Sequence, residues 1–70
     1  MPFVNIRIVK EVIADDPVGK KKAISNEVTK AISSTAGVSE DAVWVVFEEV
    51  AAADWYVGPT SVQTMRDGEP

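Results

Sequence analysis

The sequence predicts an α/β fold, a single βαβ unit with two parallel strands, one long helix and a short C-terminal hairpin or loop. Two apolar segments, residues 3–9 and about 42–50, flank a longer segment whose apolar residues recur at helical spacing. Parallel strands need a crossover of a dozen or more residues, which is usually a right-handed connection through a helix. A chain of 70 residues accommodates one domain, here residues 1–70, and not two.

The first predicted strand spans residues 3–9. Its alternation of apolar and polar side chains is typical of a strand with one buried face. The apolar face carries Val4, Ile6 and Ile8. Asn5 and Arg7 interrupt the opposite face, so we expect the two faces to have different neighbours.

The helix is predicted to begin with Asp15 or Asp16 as its N-cap and with Pro17 at the first helical position. Five residues of one face, all but the last apolar, recur at helical spacing: Ile24, Val28, Ala31, Ile32 and Thr35. Gly37 is a typical C-terminal stop, because glycine readily adopts the left-handed conformation found there. Gly19 is expected to weaken the first turn.

The second predicted strand, about residues 42–50, is almost continuously apolar until Glu48 and Glu49. Such a pattern is typical of a strand that is covered on both faces. The two glutamates are neighbours in a strand and point to opposite faces, so they are not expected to share a proton.

The C-terminal part is predicted to contain little regular structure. Residues 51–59 are interpreted as a loop or short hairpin, because Gly58-Pro59 is a turn signal. The polar tail, about residues 60–70, is expected to be frayed or else to form part of an interface.

The composition excludes several classes of mechanism. The chain has no Cys and no His, which excludes disulfides, thiolate nucleophiles, Cys/His zinc sites and His-based triads. Its net charge of −4 argues against a nucleic-acid partner, because that affinity comes largely from Lys and Arg. No segment approaches the about 18 apolar residues of a membrane span, and none resembles a secretory signal. We therefore expect a cytoplasmic protein with no nucleic-acid and no membrane partner.

A single βαβ unit makes a poor monomer. One helix covers one face of the sheet, while large aromatic side chains also need cover: Phe3, Trp44, Phe47, Trp55 and Tyr56. A chain of this size without disulfides or metals usually needs oligomerisation to bury enough apolar surface. The sequence therefore predicts an obligate oligomer.

Four segments, in order along nearly the whole chain, resemble one known family. They are Met-Pro-Phe-Val-Asn-Ile at residues 1–6, Glu-Val-Thr-Lys-Ala-Ile-Ser at 27–33, Val-Val-Phe-Glu-Glu-Val at 45–50 and Asp-Trp-Tyr-Val-Gly at 54–58. Together with the βαβ pattern, their order and spacing are similar to those of the 4-oxalocrotonate tautomerase family. Removal of Met1, which is common before a small residue, would leave Pro2 as a free secondary amine.

The resemblance implies a hexamer built from dimers, with the helices outside and the active site where Pro2 meets residues of neighbouring chains. It implies enol–keto tautomerisation of unsaturated or aryl-substituted 2-oxo acids, a small-molecule substrate, and no metal or organic cofactor. Pro2 suits the role of general acid and base. The pKa of an α-amino group is about 7.7–8, and burial lowers it towards neutrality, where proton shuttling is efficient.

The chain departs from the family pattern at two arginine positions. These fall near Val12 and at Trp44, and neither residue can hold a carboxylate as an arginine fork does. A monocarboxylate or neutral substrate with an aromatic or apolar tail is therefore expected, rather than a dicarboxylate. Arg7 is expected to form an interface ion pair, while Lys10 and Arg66 are cations that could reach a site across a subunit boundary.

Three aromatic residues are candidates for the substrate pocket. Trp55 matches the aromatic site residue of the family and would wall the pocket and keep it dry, or else fill an interface. Trp44 is expected in the core or in the pocket wall. Tyr56 could donate a hydrogen bond to a developing enolate, or pack its ring and leave its hydroxyl in water. Val57 lies near the position of the glutamate that activates water in related hydratases and dehalogenases, which disfavours water addition.

We therefore expect a cofactor-free enol–keto tautomerase, an isomerase, with Pro2 as its catalytic residue. The expected assembly is a homo-hexamer, a trimer of dimers, with a hetero-hexamer left open. The alternative is a non-catalytic or weakly active subunit that assembles with an arginine-bearing paralogue. A small ligand-binding module without chemistry is a third option.

Overall fold

The computed structural model describes residues 1–68 of the chain. Its regular elements are β1 (Phe3–Val9), α1 (Pro17–Ala36), β2 (Trp44–Val50), β3 (Tyr56–Val57), β4 (Thr60–Ser61) and α2 (Val62–Arg66). Short 3₁₀ turns lie in the connections, at residues 10–13, 40–42 and 52–54. The predicted βαβ unit with a C-terminal hairpin is confirmed, and a short helix follows the hairpin.

The two long strands pair in parallel. Phe3 lies opposite Trp44 at the start of the ladder, and Val9 lies opposite Val50 at its end. The half-buried face of β1 is the predicted one: Val4, Ile6 and Ile8. Lys21 of α1 forms an ion pair with Glu49 of β2. The long helix therefore crosses over one face of the sheet and leaves the other face open within the chain.

The ends of α1 are set by local signals in the sequence. Asp16 is the N-cap, and its Oδ1 accepts a hydrogen bond from the Gly19 N–H at 3.1 Å. Gly37 ends the helix with a φ of 72°, and its N–H donates to the Ser33 carbonyl. The predicted start and stop are both confirmed. Neither helix of the described residues is long and apolar enough to cross a membrane.

Two boundaries differ from the prediction. The second strand begins at Trp44 and not at about residue 42, because residues 40–42 form a 3₁₀ turn that Ser39 caps by accepting from the Asp41 N–H at 3.3 Å. The prediction of a frayed tail is wrong for residues 60–66, which form β4 and α2. The Ser61 hydroxyl caps α2 by accepting from the Thr64 N–H at 3.1 Å. The end of the predicted tail, residues 69–70, lies outside the described residues.

The chain by itself has almost no core. Among the described residues, the buried apolar side chains are Ile13 and Ala52. On the open face of the sheet, Phe3 is 61% exposed, Trp44 54% and Val46 39%. The prediction that β2 is covered on both faces is therefore wrong for the single chain, because α1 covers one face and no part of residues 1–68 packs on the other.

Candidate active site

Pro2 lies immediately before β1, at the end of the sheet where both long strands begin. It is half-buried, whereas Met1 is 82% exposed. The Pro2 carbonyl accepts a hydrogen bond from the Trp44 N–H at 3.0 Å. This bond extends the β1–β2 ladder by one step and holds the Pro2 backbone against the second strand.

Trp44 is the neighbour of Pro2 on β2. Its ring lies on the open face of the sheet beside Phe3, its partner in the strand register. Both side chains are more than half exposed, and Val46 continues the apolar surface along β2. The structure therefore brings two predicted site residues together, Pro2 and Trp44, at the edge of an uncovered apolar surface.

The other two predicted site residues line a hollow at the opposite end of the sheet. The hollow has a volume of about 230 Å³, and its lining residues are Arg7, Val50, Asp54, Trp55 and Tyr56. It lies where β1 and β2 end and the chain turns into the hairpin. Ligand pockets usually measure about 300–1,000 Å³. The hollow is therefore open and small, as expected for part of a site that another surface completes.

The segment that carries Trp55 is tied to the turn after β1. The carboxylate of Glu11 accepts a hydrogen bond from the buried Ala52 N–H at 2.8 Å. This bond is the main cause that lowers the pKa of Glu11 below its usual value of 4.5, and the positive charges of Arg66 and Lys10 add to the effect. Glu11 therefore remains an anion that fixes the start of the segment.

Both backbone groups of Trp55 form hydrogen bonds, one to the preceding turn and one to the start of α2. The Trp55 N–H donates to the Ala52 carbonyl at 3.3 Å, and its carbonyl accepts from the Val62 N–H at 2.7 Å. Tyr56 and Val57 then pair with β4, and Gly58 turns the chain with a φ of 60°. The half-buried Trp55 is thus positioned by backbone bonds on both sides, while Tyr56 is 60% exposed.

Arg7 is the cation of the hollow. Its Nε lies 3.4 Å from Glu48 Oε2, and Asn5 Nδ2 donates to Glu48 Oε1 at 2.9 Å. The bond from Asn5, followed by the charge of Arg7, holds the pKa of Glu48 below its usual range. The expected interface ion pair of Arg7 therefore has an intrachain counterpart in this structure.

Sequence reasoning did not include Arg7, Val50 or Asp54 in the site. The signal that could have found Arg7 is its place near the carboxyl end of β1, on the face that the helix leaves open. The other two candidate cations, Lys10 and Arg66, contribute charge at Glu11 and do not line the hollow.

One chain does not bring Pro2 to Trp55. Arg7 follows Pro2 by five positions of extended strand, which corresponds to roughly 16 Å along the sheet. The four predicted site residues therefore form two pairs at opposite ends of the sheet. A site that contains both pairs requires a second copy of the sheet.

Comparison with known proteins identifies the family. Residues 2–65 match the family described as "Tautomerase enzyme". The chain is 35% identical over 66 residues to a probable tautomerase K2 of Dickeya dadantii (strain 3937), with 94% of each chain covered.

Two solved structures share the fold. One is TomN, a 4-oxalocrotonate tautomerase homologue in the tomaymycin biosynthetic pathway, with a TM-score of 0.81 and 26% identity over 94% of this chain and 95% of that one. The other is DmpI from Helicobacter pylori, with a TM-score of 0.81 and 23% identity over 94% of this chain and 97% of that one. The protein therefore belongs to the tautomerase family and is an isomerase of the 4-oxalocrotonate tautomerase type.

Proposed function

We propose that the protein interconverts enol and keto forms of a 2-oxo acid, with Pro2 as general acid and base once Met1 has been removed. The observation that carries this proposal is the placement of Pro2. Pro2 is half-buried and its backbone is held by the bond from the Trp44 N–H, while Met1 is exposed to solvent. A secondary amine fixed in this way presents its lone pair in one direction, which favours proton transfer to a bound substrate.

The proposed reaction moves one proton. The neutral amine of Pro2 takes the proton from the enol hydroxyl and leaves an enolate. The resulting ammonium returns the proton to the far carbon of the C=C bond, whose electron pair forms the new C–H bond as the C–O bond becomes the carbonyl. The amine is therefore neutral again when the keto acid leaves. An apolar surrounding such as the face around Trp44 and Phe3 disfavours the ammonium form and lowers the pKa of the amine towards neutrality.

The substrate proposed is a monocarboxylate with an aromatic or apolar tail. Val12 and Trp44 stand near or at the positions where the family carries arginines, and neither can bind a second carboxylate. The exposed rings of Trp44 and Phe3 would pack against such a tail. Tyr56 could donate its hydroxyl hydrogen to the developing enolate oxygen, and Trp55 would wall the site against water.

The first experiment follows ketonisation of phenylenolpyruvate and 2-hydroxymuconate by ultraviolet absorbance. Intact mass first establishes that Met1 is absent from the sample. We expect turnover that is faster on the monocarboxylate, and a loss of about 10²–10⁴-fold in kcat/KM in Pro2→Ala. Pro17→Ala, at the first position of α1 and away from both site pairs, is the matched control and is expected to retain activity.

Absence of turnover in a processed and assembled protein would contradict the proposal, and so would full activity in Pro2→Ala. The missing arginines support a second candidate, a subunit that needs an arginine-bearing paralogue. Turnover that appears only after the two chains are mixed would favour that candidate. The hexamer, whether of one chain or two, and the cytoplasmic location remain predictions.

A further inference from the structure

We propose that Arg7 binds the substrate carboxylate in the hollow beside Trp55, and so takes over the task of the missing family arginines. This inference rests on the proposed function, because it assigns a specificity-determining residue to the same site. It replaces the expectation that Arg7 serves only as an interface ion pair. The juxtaposition that carries it is a guanidinium and two aromatic side chains around one open hollow.

The guanidinium of Arg7 has hydrogen-bond donors that a bound ligand could use. A guanidinium carries five N–H donors in a planar fork that matches a carboxylate. In this structure its ion pair with Glu48 runs through Nε at 3.4 Å, and the Arg7 side chain is 67% exposed. The contact is at the long end for an ion pair, and within residues 1–68 no hydrogen bond engages the two terminal nitrogens, which leaves them available to a bound carboxylate.

Glu48 is placed to hold the Arg7 side chain over the hollow. It lies opposite Arg7 in the strand register and is itself fixed by a hydrogen bond at 2.9 Å from Asn5, which precedes Arg7 by two residues on the same face. Glu48 thus has one carboxylate oxygen on Asn5 and the other near Arg7. A long side chain loses rotamer entropy when it binds a ligand, and a partner that restrains it beforehand reduces that cost.

The charge of the hollow favours a single carboxylate. Arg7 is its cation, whereas Asp54 adds a negative charge to the same lining. One carboxylate can face Arg7, but a second would meet Asp54 and no further cation of the lining. The apolar remainder of a substrate would then pass over Trp55 towards the rings of Trp44 and Phe3 beside Pro2. The hollow therefore favours a monocarboxylate with an apolar tail, in agreement with the loss of the family arginines.

The test compares phenylenolpyruvate with its methyl ester, which has the same ring and enol but no charge. In Arg7→Met, the KM for the acid is expected to rise about 10–100-fold, the value of a lost charge-assisted pair, while the KM for the ester stays within about threefold. Arg7→Lys is expected to recover part of the affinity for the acid. Lys30→Met, an exposed position on α1, is the matched charge control.

Glu48→Gln separates this role from a structural one. If Arg7 binds substrate, Glu48→Gln keeps an oxygen that can restrain the guanidinium and removes only the competing negative charge, so the KM for the acid is expected to be equal or lower. If the Arg7–Glu48 pair only holds an interface, both variants impair assembly and activity alike, as sedimentation would show. Parallel changes for the acid and the ester in Arg7→Met, or no change in either, would overturn the inference.

Binding measured apart from turnover keeps the two proposals distinct. The affinity for cinnamate is expected to fall at least about tenfold in Arg7→Met by titration calorimetry, while that for cinnamamide, which has no charge, does not change. If the protein shows no Pro2-dependent turnover, the proposed function fails and this titration still decides about Arg7. Equal affinity of the parent and Arg7→Met for cinnamate would overturn the assignment.

Discussion

At the level of single residues, Glu11 shows how a surface carboxylate can determine the geometry of a site far from it in sequence. Its side chain accepts a hydrogen bond from the Ala52 N–H, and Ala52 is the most buried residue of the described chain. A buried N–H without a partner is unfavourable. The bond therefore satisfies that group and holds the segment that carries Trp55.

Glu11→Gln tests this assignment through the pH dependence of stability. The folded-state pKa of Glu11 is lowered, so its ionised form stabilises the protein above the usual value of 4.5, and this stabilisation is lost as the pH falls through the folded pKa. Stability on acidification is therefore expected to fall less steeply in Glu11→Gln than in the parent. The measurement is urea denaturation at several pH values. The same loss of unfolding free energy per pH unit in Glu11→Gln and in the parent would contradict the role assigned to Glu11.

The control for that series is Glu27→Gln. Glu27 is an exposed residue of α1 and shares no hydrogen bond with the hairpin segment. The variant removes the same charge without touching Ala52. The stability of Glu27→Gln is expected to fall on acidification as steeply as that of the parent. A change common to both variants would point to net charge and not to the bond between Glu11 and Ala52.

Candidate site residues could be named from the sequence where a recognisable sequence segment contains them. Pro2 and Trp55 were predicted as site residues from the resemblance to a family, and the structure adds where each lies. Arg7 could not be placed at the hollow, because this requires the strand register and the course of the segment after β2. Those depend on contacts between residues more than forty positions apart, such as Glu11 with Ala52.

At the level of elements, α1 was predictable because short-range signals in the sequence set both of its ends. The start uses Asp16 as the cap and Pro17 at the first position, and the end uses Gly37 in the left-handed region. Gly19, which the sequence suggests is a weak point, has a structural role. A Cβ at that position would collide with the Asp16 carboxylate, so glycine leaves room for the cap in this orientation.

Asp16→Ala tests the cap. Loss of the bond to the Gly19 N–H is expected to cost about 0.5–2 kcal/mol per chain in the free energy of unfolding. The measurement is urea denaturation followed by circular dichroism, at one protein concentration because assembly contributes to stability. Asp16→Ser, which keeps a capping oxygen, is the control and should retain most of the stability. An unchanged midpoint in Asp16→Ala would contradict the assignment.

The end of the chain was the least predictable element. Residues 60–66 are mostly polar and resemble a tail in composition. Their order comes from pairing with residues 56–57, from the bond between Val62 and Trp55, and from the Ser61 cap. A capping serine is a local signal that was overlooked, whereas the hairpin pairing depends on packing that composition does not reveal.

At the level of the whole molecule, the single chain is too open to account for a stable fold. Its radius of gyration is 15.1 Å, with extents of 45 × 25 × 15 Å. A compact chain of this length would have a radius of gyration of about 11 Å. An elongated shape and an uncovered sheet face both indicate that further apolar surface is buried against other chains, which supports the predicted oligomer.

The same openness explains the separation of the two site pairs. Pro2 with Trp44 lies at one end of the sheet, and Trp55 with Arg7 lies at the other. A two-fold axis between two copies would place the start of one sheet beside the end of its partner. We therefore propose that Pro2 of one copy works in the hollow of a second copy.

Subunit complementation tests that claim most directly. Pro2→Ala and Trp55→Ala are each expected to lose most of their phenylenolpyruvate turnover when assayed alone. When the two variants are unfolded together and refolded, about a quarter of the sites should combine an intact Pro2 with an intact Trp55 from the other chain. Activity that returns to about that fraction of the parent is the predicted result. A mixture no more active than the average of its two components would contradict a site shared between copies.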